Sequence, residues 1–500
     1  MRMRRIVFAL LLVALCAGLA AQKSPIVNGL NEARFIWRAA EDSLNTYFED
    51  NFSFSLAYNY FTFGLKFSAG LPKYSTDQNQ LLDELRPDAL SWDWEDLYAS
   101  YARDAWLIHA GKMEETFGSG MTFRSYKNVE LDEDYRVTGF KFGYDRRLRL
   151  KALYSGYSGG SGGGKLDLAY GMDAEYPVLE PLTLGATAFS AQSYVGTKYL
   201  QDNVLGGRAK LRKGPLEAGV EYASRDKVDN PDNGNAVYAD ASLSLSLLQF
   251  GAAYKYYDNF NYYNNFQDLP LANHHSETLS DGQASGSDER GFQVWTIFSL
   301  PRDITLNLDY AEAWDSSQKL RMNDFYAGLD WMKGKLNGTL SFSYLEKLDE
   351  SDTELLDGNK NRWQKEYYPG FVLSFPAWGY QPTLTGEFKA VAKESVTQSE
   401  QNGVSYDQLY ESSHYEPKLQ LDVALGKLSL ALGAQAWWED FSSIGDGTYW
   451  PNLEAKYPIL GGTDLVVFVG REAGGKVCRN GVCRYMAPFS GLRVDLNTRF

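Results

Sequence analysis

The last eleven residues of the chain, "SGLRVDLNTRF" (490–500), alternate apolar and polar side chains up to the final position. Side chains on a strand alternate between its two faces, so the even positions from Leu492 to Phe500 form a largely apolar face and the odd positions a polar one. Such a strand separates two environments. In a soluble sandwich the apolar face meets a second sheet, whereas in a membrane barrel it meets lipid while the polar face lines the lumen.

The first residues, "MRMRRIVFALLLVALCAGLAAQ" (1–22), have the form of a secretory signal peptide. Three arginines precede an apolar run, and small residues lead to a cleavage site after Ala20 or Ala21. The segment is too short to span a membrane. We expect residues 1–21 to be removed and residues 22–500 to form one domain. Cys16 leaves a lipoprotein open as an alternative, although Leu15 precedes it where a small residue is expected.

The composition favours a protein that crosses a membrane as strands. The chain contains 34 Tyr, 27 Phe, 12 Trp and 46 Gly but only 16 Pro, and no second stretch is apolar enough for a membrane helix. Aromatic girdles and glycine-containing turns are typical of membrane barrels. The net charge of −15 argues against nucleic acid as a partner.

The alternation of the last strand recurs along the chain in about 24 segments of roughly ten residues, the length that crosses a bilayer at the tilt of a barrel. We therefore expect an all-β fold, a transmembrane antiparallel barrel of about 24 strands (22–26). The segments are 28–38, 51–59, 61–70, 95–103, 106–114, 135–145, 148–157, 165–176, 182–193, 203–213, 216–226, 235–246, 248–258, 291–300, 303–314, 322–333, 336–347, 362–375, 382–394, 416–425, 428–439, 448–459, 463–473 and 485–500.

The connections alternate in length, as in outer-membrane barrels. Short turns such as "YDRR" (144–147) and "LPRDI" (300–304) alternate with longer polar connections, which are 71–94, 115–134, 259–290 and 395–415. This pattern predicts short periplasmic turns, long extracellular loops and periplasmic termini. A soluble exported all-β protein is the alternative. Because the first strand begins soon after the cleavage site, we expect no plug domain and a wide, wet lumen.

The expected location is the outer membrane of a Gram-negative bacterium, with membrane lipid and lipopolysaccharide as neighbours. The final strand should close the barrel against the first. Its terminal Phe500 resembles the C-terminal signature that the barrel assembly machinery reads. We expect no cofactor, and the oligomeric state stays open.

The positions predicted to face the lumen carry charges in two groups. Side chains of opposed sign would set up a transverse field that orients dipolar solutes. Alternatively, they pair across neighbouring strands and only solvate the wall. The basic group is Lys141, Arg149, Lys151, Arg208, Lys210 and Arg212, and the acidic group is Glu217, Glu221, Asp240, Asp309, Asp324 and Asp330.

The connection "GKMEETFGSGMTFRSYKN" (111–128) is too apolar for a loop in water, because it contains Phe117, Met121, Phe123 and Tyr126. We expect it to fold into the barrel and narrow the lumen; packing over the rim is the alternative. The constriction residues would be Glu114, Glu115, Phe117, Gly118, Ser119, Gly120, Arg124 and Lys127. Glycines on both sides of Ser119 allow a sharp turn there.

This stretch and the following "YRVTGFKFGY" (135–144) resemble a segment of an uncharacterised family of large outer-membrane barrel proteins. The shared pattern is acidic-aromatic, then FGSG, then Arg-aromatic, followed by a strand. The resemblance implies the barrel fold and the outer-membrane location. It implies no activity.

The cysteines that remain after processing lie in "CRNGVC" (478–483), where Asn480-Gly481 predicts a two-residue hairpin turn. Cys478 and Cys483 would then face each other, so we expect a disulfide at the tip of the last external loop. A metal site is the alternative, although no further ligands lie nearby.

We expect no enzymatic activity. The four histidines, His109, His274, His275 and His414, form no evident catalytic constellation. His274-His275 lies in the polar connection 259–290, which has the composition of a mobile surface loop with, at most, weak transition-metal binding. Whether connections 71–94 and 259–290 enter the lumen stays open. The acidic runs at 128–134 and 348–358 would hold Ca²⁺ or lipopolysaccharide, or form a solvated acidic surface.

The sequence therefore predicts a porin-like channel for passive diffusion of small polar solutes. The alternative is an occluded barrel that serves as a structural or adhesion protein through its external loops.

Overall fold

The structure is a computed structural model. It describes residues 24–39, 46–71, 91–128, 133–157, 167–195, 198–228, 233–261, 269–279, 288–350, 359–401, 404–479, 482–486 and 488–500. The expected signal peptide, most of the predicted loop 71–94 and the acidic stretches 129–132 and 351–358 lie outside these residues.

The described chain is built almost entirely from strands, with one turn of 3-10 helix at Ile444–Asp446. Among the described residues, no helix is long and apolar enough to cross a membrane. The strands are β1 (Ile26–Arg38), β2 (Thr46–Tyr58), β3 (Phe61–Leu71), β4 (Ser91–Arg103), β5 (Trp106–Met113), β6 (Glu115–Phe117), β7 (Phe123–Ser125), β8 (Lys127–Asn128), β9 (Glu133–Asp134), β10 (Val137–Asp145), β11 (Arg149–Tyr157), β12 (Asp167–Leu179), β13 (Leu182–Val195), β14 (Lys198–Lys213), β15 (Leu216–Val228), β16 (Gly234–Ser244), β17 (Leu248–Asp258), β18 (Asp288–Leu300), β19 (Ile304–Trp314), β20 (Leu320–Lys333), β21 (Leu336–Asp349), β22 (Asn359–Ser374), β23 (Thr383–Gln401), β24 (Val404–Leu425), β25 (Leu428–Trp437), β26 (Thr448–Leu460), β27 (Thr463–Glu472), β28 (Gly475–Arg479), β29 (Val482–Met486) and β30 (Phe489–Arg499).

Twenty-four of these strands form one closed antiparallel barrel in the described part of the chain. Each barrel strand pairs with the next barrel strand along the chain. The short pairs β6–β7, β8–β9 and β28–β29 are not part of the barrel sheet, so β5 pairs with β10 and β27 with β30. The last strand pairs with the first, from Leu30 opposite Arg499 to Arg38 opposite Gly491. The prediction of about 24 strands closed by the terminal segment is confirmed.

The outer and inner faces of the wall differ as the alternation predicts. Tyr154 and Leu205 are 55% and 67% exposed, whereas their chain neighbours Ser155 and Val204 are buried on the opposite face. Contiguous exposed apolar side chains suit a surface that faces lipid, whereas the inner face carries most of the buried charged residues.

One predicted connection is wrong. Residues 395–415 were expected to form a long polar loop, but they belong to β23 and β24, which pair from Thr383 opposite Asp422 to Gln401 opposite Val404. These strands of 19 and 22 residues greatly exceed the roughly ten residues that a bilayer requires. Their outer ends therefore continue as a ribbon beyond the wall, because polar residues in register pair as strands even without an apolar face.

Candidate functional site: an inward hairpin and the charged cavity at its tip

A small hairpin folds back from the end of β5 onto the inside of the barrel. Glu115–Phe117 pairs with Phe123–Ser125, with Phe117 directly opposite Phe123. At its base, the Ser125 hydroxyl donates to the Met113 carbonyl at 2.7 Å and accepts from the Val137 N–H at 3.0 Å. These two bonds fix the hairpin between the last residue of β5 and the first of β10.

The apolar residues that predicted an inward loop form the core of the contact with the wall. Phe117, Met121 and Phe123 are fully buried, and the ring of Phe123 lies 4.9 Å from that of Phe189 on β13. They belong to one cluster with buried residues from β10 to β17. The hairpin directly contacts β10, β11, β13 and β15, which is possible only on the concave side of the wall, so it lies within the lumen.

Two lysines hold the first strand of the hairpin. Glu115 forms ion pairs with Lys151 at 2.9 Å and Lys141 at 3.3 Å. Lys141 also donates to the Glu114 carbonyl at 2.7 Å, and Lys151 donates to the Thr116 carbonyl at 2.8 Å. Burial alone would raise the pKa of Glu115, but the Lys151 hydrogen bond and the two cationic charges outweigh it and lower this pKa.

The tip of the hairpin is fixed to β15. The Ser119 backbone N–H donates to Glu221 Oε2 at 2.8 Å. Gly118 has a φ of +60°, and a Cβ there would overlap the Glu221 carboxylate, so the sequence places glycine where a side chain would not fit. The Gly120 N–H donates to the Phe117 carbonyl at 3.0 Å and closes the turn.

The second strand of the hairpin carries Arg124 and continues, away from the hairpin tip, towards a cluster of ion pairs. The Arg124 guanidinium stacks over the Tyr126 ring at 4.2 Å, and Lys127 is opposite Asp134 in the short pair β8–β9. Asp134 in turn pairs with Lys112 at 2.5 Å and Arg136 at 2.9 Å. The described end of the acidic run 128–134 is therefore neutralised by neighbouring cations.

A cavity of about 440 Å³ lies between the hairpin tip and the wall. Ser119 lines the cavity on the side of the hairpin. Residues of β11, of β13–β16 and of the turn at 180–181 line the rest of it. Seven of the charged residues predicted to face the lumen line it, together with Glu180 from the turn. They are Arg149, Arg208, Lys210, Arg212, Glu217, Glu221 and Asp240.

On one side of the cavity, three cations share two carboxylates. Arg208 donates to Asp173 at 2.6 Å and to Glu175 at 2.9 Å. Arg149 and Lys210 both reach the same Glu175, each at 3.0 Å. The cations of this side come from β11 and β14, and Glu180 from the adjacent turn also lines the cavity.

On the other side, carboxylates exceed cations. Glu217 pairs with Arg212 at 2.8 Å, and Glu221 accepts from the hairpin tip. Asp240 lies beside Gly219, and within the described chain it has no hydrogen bond or ion pair. The cations of the wall therefore lie on β11 and β14 and three carboxylates lie on β15 and β16, although several of these charges are also paired across strands.

The remaining predicted acidic residues lie on β19 and β20, away from this cavity. Asp309 accepts from Gln293 at 2.8 Å, and Asp330 accepts from Asn307 at 2.9 Å. Asp324 is fully buried and bonds His275: its two carboxylate oxygens contact the His275 N–H at 2.9 Å and the imidazole Nδ1 at 2.6 Å.

The expectation that connection 259–290 is a mobile surface loop is wrong for residues 269–279. Leu269 and Leu279 are buried against the wall, and the Tyr257 hydroxyl donates to the Pro270 carbonyl at 2.8 Å. His274 stacks on Tyr326 with ring centroids 3.8 Å apart. The segment contacts β17 and β19 to β22, so it is a second inward element.

The sequence contained a signal for this second element, since "LPLAN" (269–273) is as apolar as the centre of the hairpin. The polar residues around this stretch dominate the composition of the connection, which therefore favoured a surface loop. Within the described ranges, no group of three or more His, Cys, Asp and Glu side chains is arranged to hold a metal ion.

Burial of His275 alone would lower its pKa. The hydrogen bond and the charge of Asp324 outweigh burial, with smaller contributions from Glu277 and Glu366, and raise the pKa of His275 above its ordinary value. Glu277 itself pairs with Lys347 at 2.8 Å. The second inward element is thus held by ion pairs as well as by apolar packing.

Cys478 is opposite Cys483 in the strand pair β28–β29, as the predicted hairpin requires. Their side chains and residues 480–481 lie outside what the structure describes.

The model of a family of unknown function (DUF6029) matches residues 3–280 of this chain. Among curated proteins, none matches it. Many solved structures are similar in fold, including the following three. An E. coli P pilus tip assembly intermediate (PapC-PapD-PapK-PapG) has a TM-score of 0.57 at 10% identity, over 96% of this chain and 62% of the other.

The P pilus usher (PapC) translocation pore has a TM-score of 0.49 at 9% identity, over 95% of this chain and 99% of that one. The siderophore receptor PirA from Pseudomonas aeruginosa has a TM-score of 0.49 at 11% identity, over 96% of this chain and 81% of that one. At 10% identity, the likeness to the P pilus tip assembly intermediate shows the barrel fold alone.

Proposed function

The chain belongs to the family of unknown function DUF6029, and we propose that it is a porin-like outer-membrane channel for passive diffusion of small polar solutes. The observation that carries this proposal is the hairpin fixed inside the barrel with a charged cavity at its tip. A wide barrel needs such a constriction to filter solutes by size and charge.

The proposed location is the outer membrane of a Gram-negative bacterium, after export by the signal peptide at 1–21 and its removal. The apolar outer face supports contact with membrane lipid and lipopolysaccharide. Phe500 supports recognition by the barrel assembly machinery: its backbone pairs with Gly29 on β1, and its ring stacks 6.1 Å from Phe52 while staying half exposed. The proposal includes no enzymatic activity, cofactor or nucleic acid.

Single-channel conductance in planar bilayers tests the channel directly, using refolded chain without residues 1–21. A shortened variant replaces Thr116–Arg124 with two glycines, because Glu115 and Ser125 are directly opposite and a two-residue turn can join them. We expect steady conductance from the parent and a larger value from the variant. Silence of folded, inserted parent protein would overturn the proposal.

A second variant covers the case in which the shortened chain does not fold. Ser119→Cys places a thiol at the exposed hairpin tip, and a charged, water-soluble thiol reagent should lower its conductance. Leu205→Cys on the outer face is the matched control and should not respond. Unchanged current after full labelling of Ser119→Cys would show that the tip does not border the ion path.

The alternative function, an occluded barrel with a structural or adhesion role, is favoured by one observation. The strands Thr383–Gln401 and Val404–Leu425 continue well beyond the wall and present an extended ribbon on the long-loop side. Absence of conductance together with binding through this ribbon would favour the alternative.

A further inference from the structure

The floor of the cavity is a row of three residues on neighbouring strands. Lys210 on β14 is directly opposite Gly219 on β15, which is directly opposite Asp240 on β16. Adjacent strands lie about 4.8 Å apart, so the Cα atoms of Lys210 and Asp240 are separated by about 10 Å. The middle position has no side chain, so the Asp240 carboxylate can lie over it.

Gly219 is needed for this arrangement. A Cβ at this position would lie only 2.9 Å from Asp240 Oδ1. Any larger residue would therefore displace the carboxylate and fill the floor between cation and anion. Lys210 pairs with Glu175 and not with the Asp240 carboxylate, so the two opposite charges on this floor stay apart.

The positive side of the gap is only partly neutralised. Lys210 and Arg149 share Glu175 with Arg208, and their side chains are 54% and 49% exposed. An anionic group that entered the cavity would meet two accessible cations that have no carboxylate of their own.

The negative side has a free acceptor. Asp240 has no ion-pair partner in the described chain, and Glu217, which is half exposed, has only Arg212. A cationic group of a solute would form an ion pair with Asp240. A solute with only one charge would be attracted by one side and repelled by the other.

We propose that this cavity selects zwitterionic solutes of the size of amino acids and short peptides, with the solute carboxylate at Lys210 and Arg149 and its ammonium group at Asp240. The inference rests on the proposed function, because it names the solute class that the channel would favour. Separated charges of opposite sign in a partly desolvated cavity favour a dipolar solute in one orientation.

Interruptions of single-channel current test the inference with four probes of similar size at pH 7. These are glycylglycine (zwitterion), N-acetylglycinamide (neutral), N-acetylglycine (anion) and glycylglycinamide (cation). We expect interruptions by glycylglycine to last about threefold longer than those by the neutral probe, the effect of one or two partly exposed ion pairs. Interruptions by the two singly charged probes should be lengthened less than those by glycylglycine.

Charge-removing variants locate the effect. Lys210→Gln and Asp240→Asn should each abolish the preference for glycylglycine, because each removes one end of the site. Matched controls on the far wall are Lys456→Gln on β26 and Asp422→Asn on β24, a similar number of residues from a short turn. Both controls should keep the preference.

The outcomes separate the two proposals. Absence of any current would overturn the channel itself. Normal current with equal interruptions by all four probes, or with a preference for one singly charged probe, would overturn the inference and leave the channel intact. A glycylglycine preference that survives both cavity variants would show that another part of the lumen selects the solute, which also overturns the inference.

Discussion

The backbone N–H of Ser119 donates to Glu221 Oε2 at 2.8 Å, although the two residues are 102 positions apart in the chain. The bond joins the tip of an inward hairpin to β15, which lies six strands around the barrel from β5, where the hairpin begins. It fixes the element that borders the cavity. The hairpin tip is therefore part of the wall's own packing.

Removing this anchor should loosen the tip. A hydrogen bond to a charged acceptor contributes about 1.5–3 kcal/mol, and Glu221→Ala loses it. We expect greater open-channel current noise and a higher mean conductance. Glu221→Gln keeps an acceptor oxygen and should be intermediate, so equal noise in all three proteins would contradict the role of this bond.

Truncating the buried ring of Phe117 should detach the hairpin without opening the barrel. Phe117→Ala is expected to cost about 3–5 kcal/mol of packing on the wall. Amide hydrogen exchange should quicken at Gly120, whose N–H donates to the Phe117 carbonyl, while the barrel strands stay protected. Phe140→Ala, on the outer face of β10, is the control and should leave Gly120 protected.

The second inward element should loosen at alkaline pH. The pKa of His275 is raised above the ordinary 6.5, so its charged contact with Asp324 is complete below that value and is lost as pH rises through the raised pKa. We expect exchange at residues 269–279, corrected for its intrinsic pH dependence, to increase from pH 6 to pH 9. His275→Gln should remove this dependence; if the variant keeps it, another group is responsible.

Closure of the barrel should depend on Gly491. Its φ is +150°, and a Cβ would overlap the Trp37 carbonyl on β1. Gly491→Ala should reduce the fraction that refolds to the compact, heat-modifiable form on unheated gels. Gly461→Ala, where nothing lies within 4 Å of the added Cβ, should refold normally. Equal refolding of both variants would show that the seam tolerates the side chain.

Oxidation of Cys478 and Cys483 is the remaining expectation from the sequence. Their opposed positions in β28–β29 place the backbones at a separation that a disulfide can bridge. Mass spectrometry of non-reduced digests should find the two residues in one cross-linked peptide. Recovery of both as free thiols from exported protein would refute the disulfide.

The hairpin and the second inward element differ in how far the sequence predicted them. Phe117, Met121 and Phe123 in one connection indicated burial, and burial inside the barrel followed. Leu269 and Pro270 gave the same indication, but the polar residues of 259–290 outweighed it in composition. Composition averages over a segment, whereas burial is decided residue by residue.

The ribbon at 383–425 contains strands that the sequence pattern did not predict. Its outer half lacks apolar alternation, so it was predicted as a loop, yet continued backbone pairing extends β23 and β24. Hydrogen bonds between strands depend on register and not on side-chain polarity.

The sequence by itself determined the class of fold, the number of barrel strands and the closure of the last on the first. Each of these follows from a local period of two that separates lipid from water. Tertiary structure alone decided that Ser119 meets Glu221, that Lys210 and Asp240 face each other across Gly219, and that His275 reaches Asp324. Those contacts join residues distant in the chain, and the curvature of the closed wall sets the distances between them.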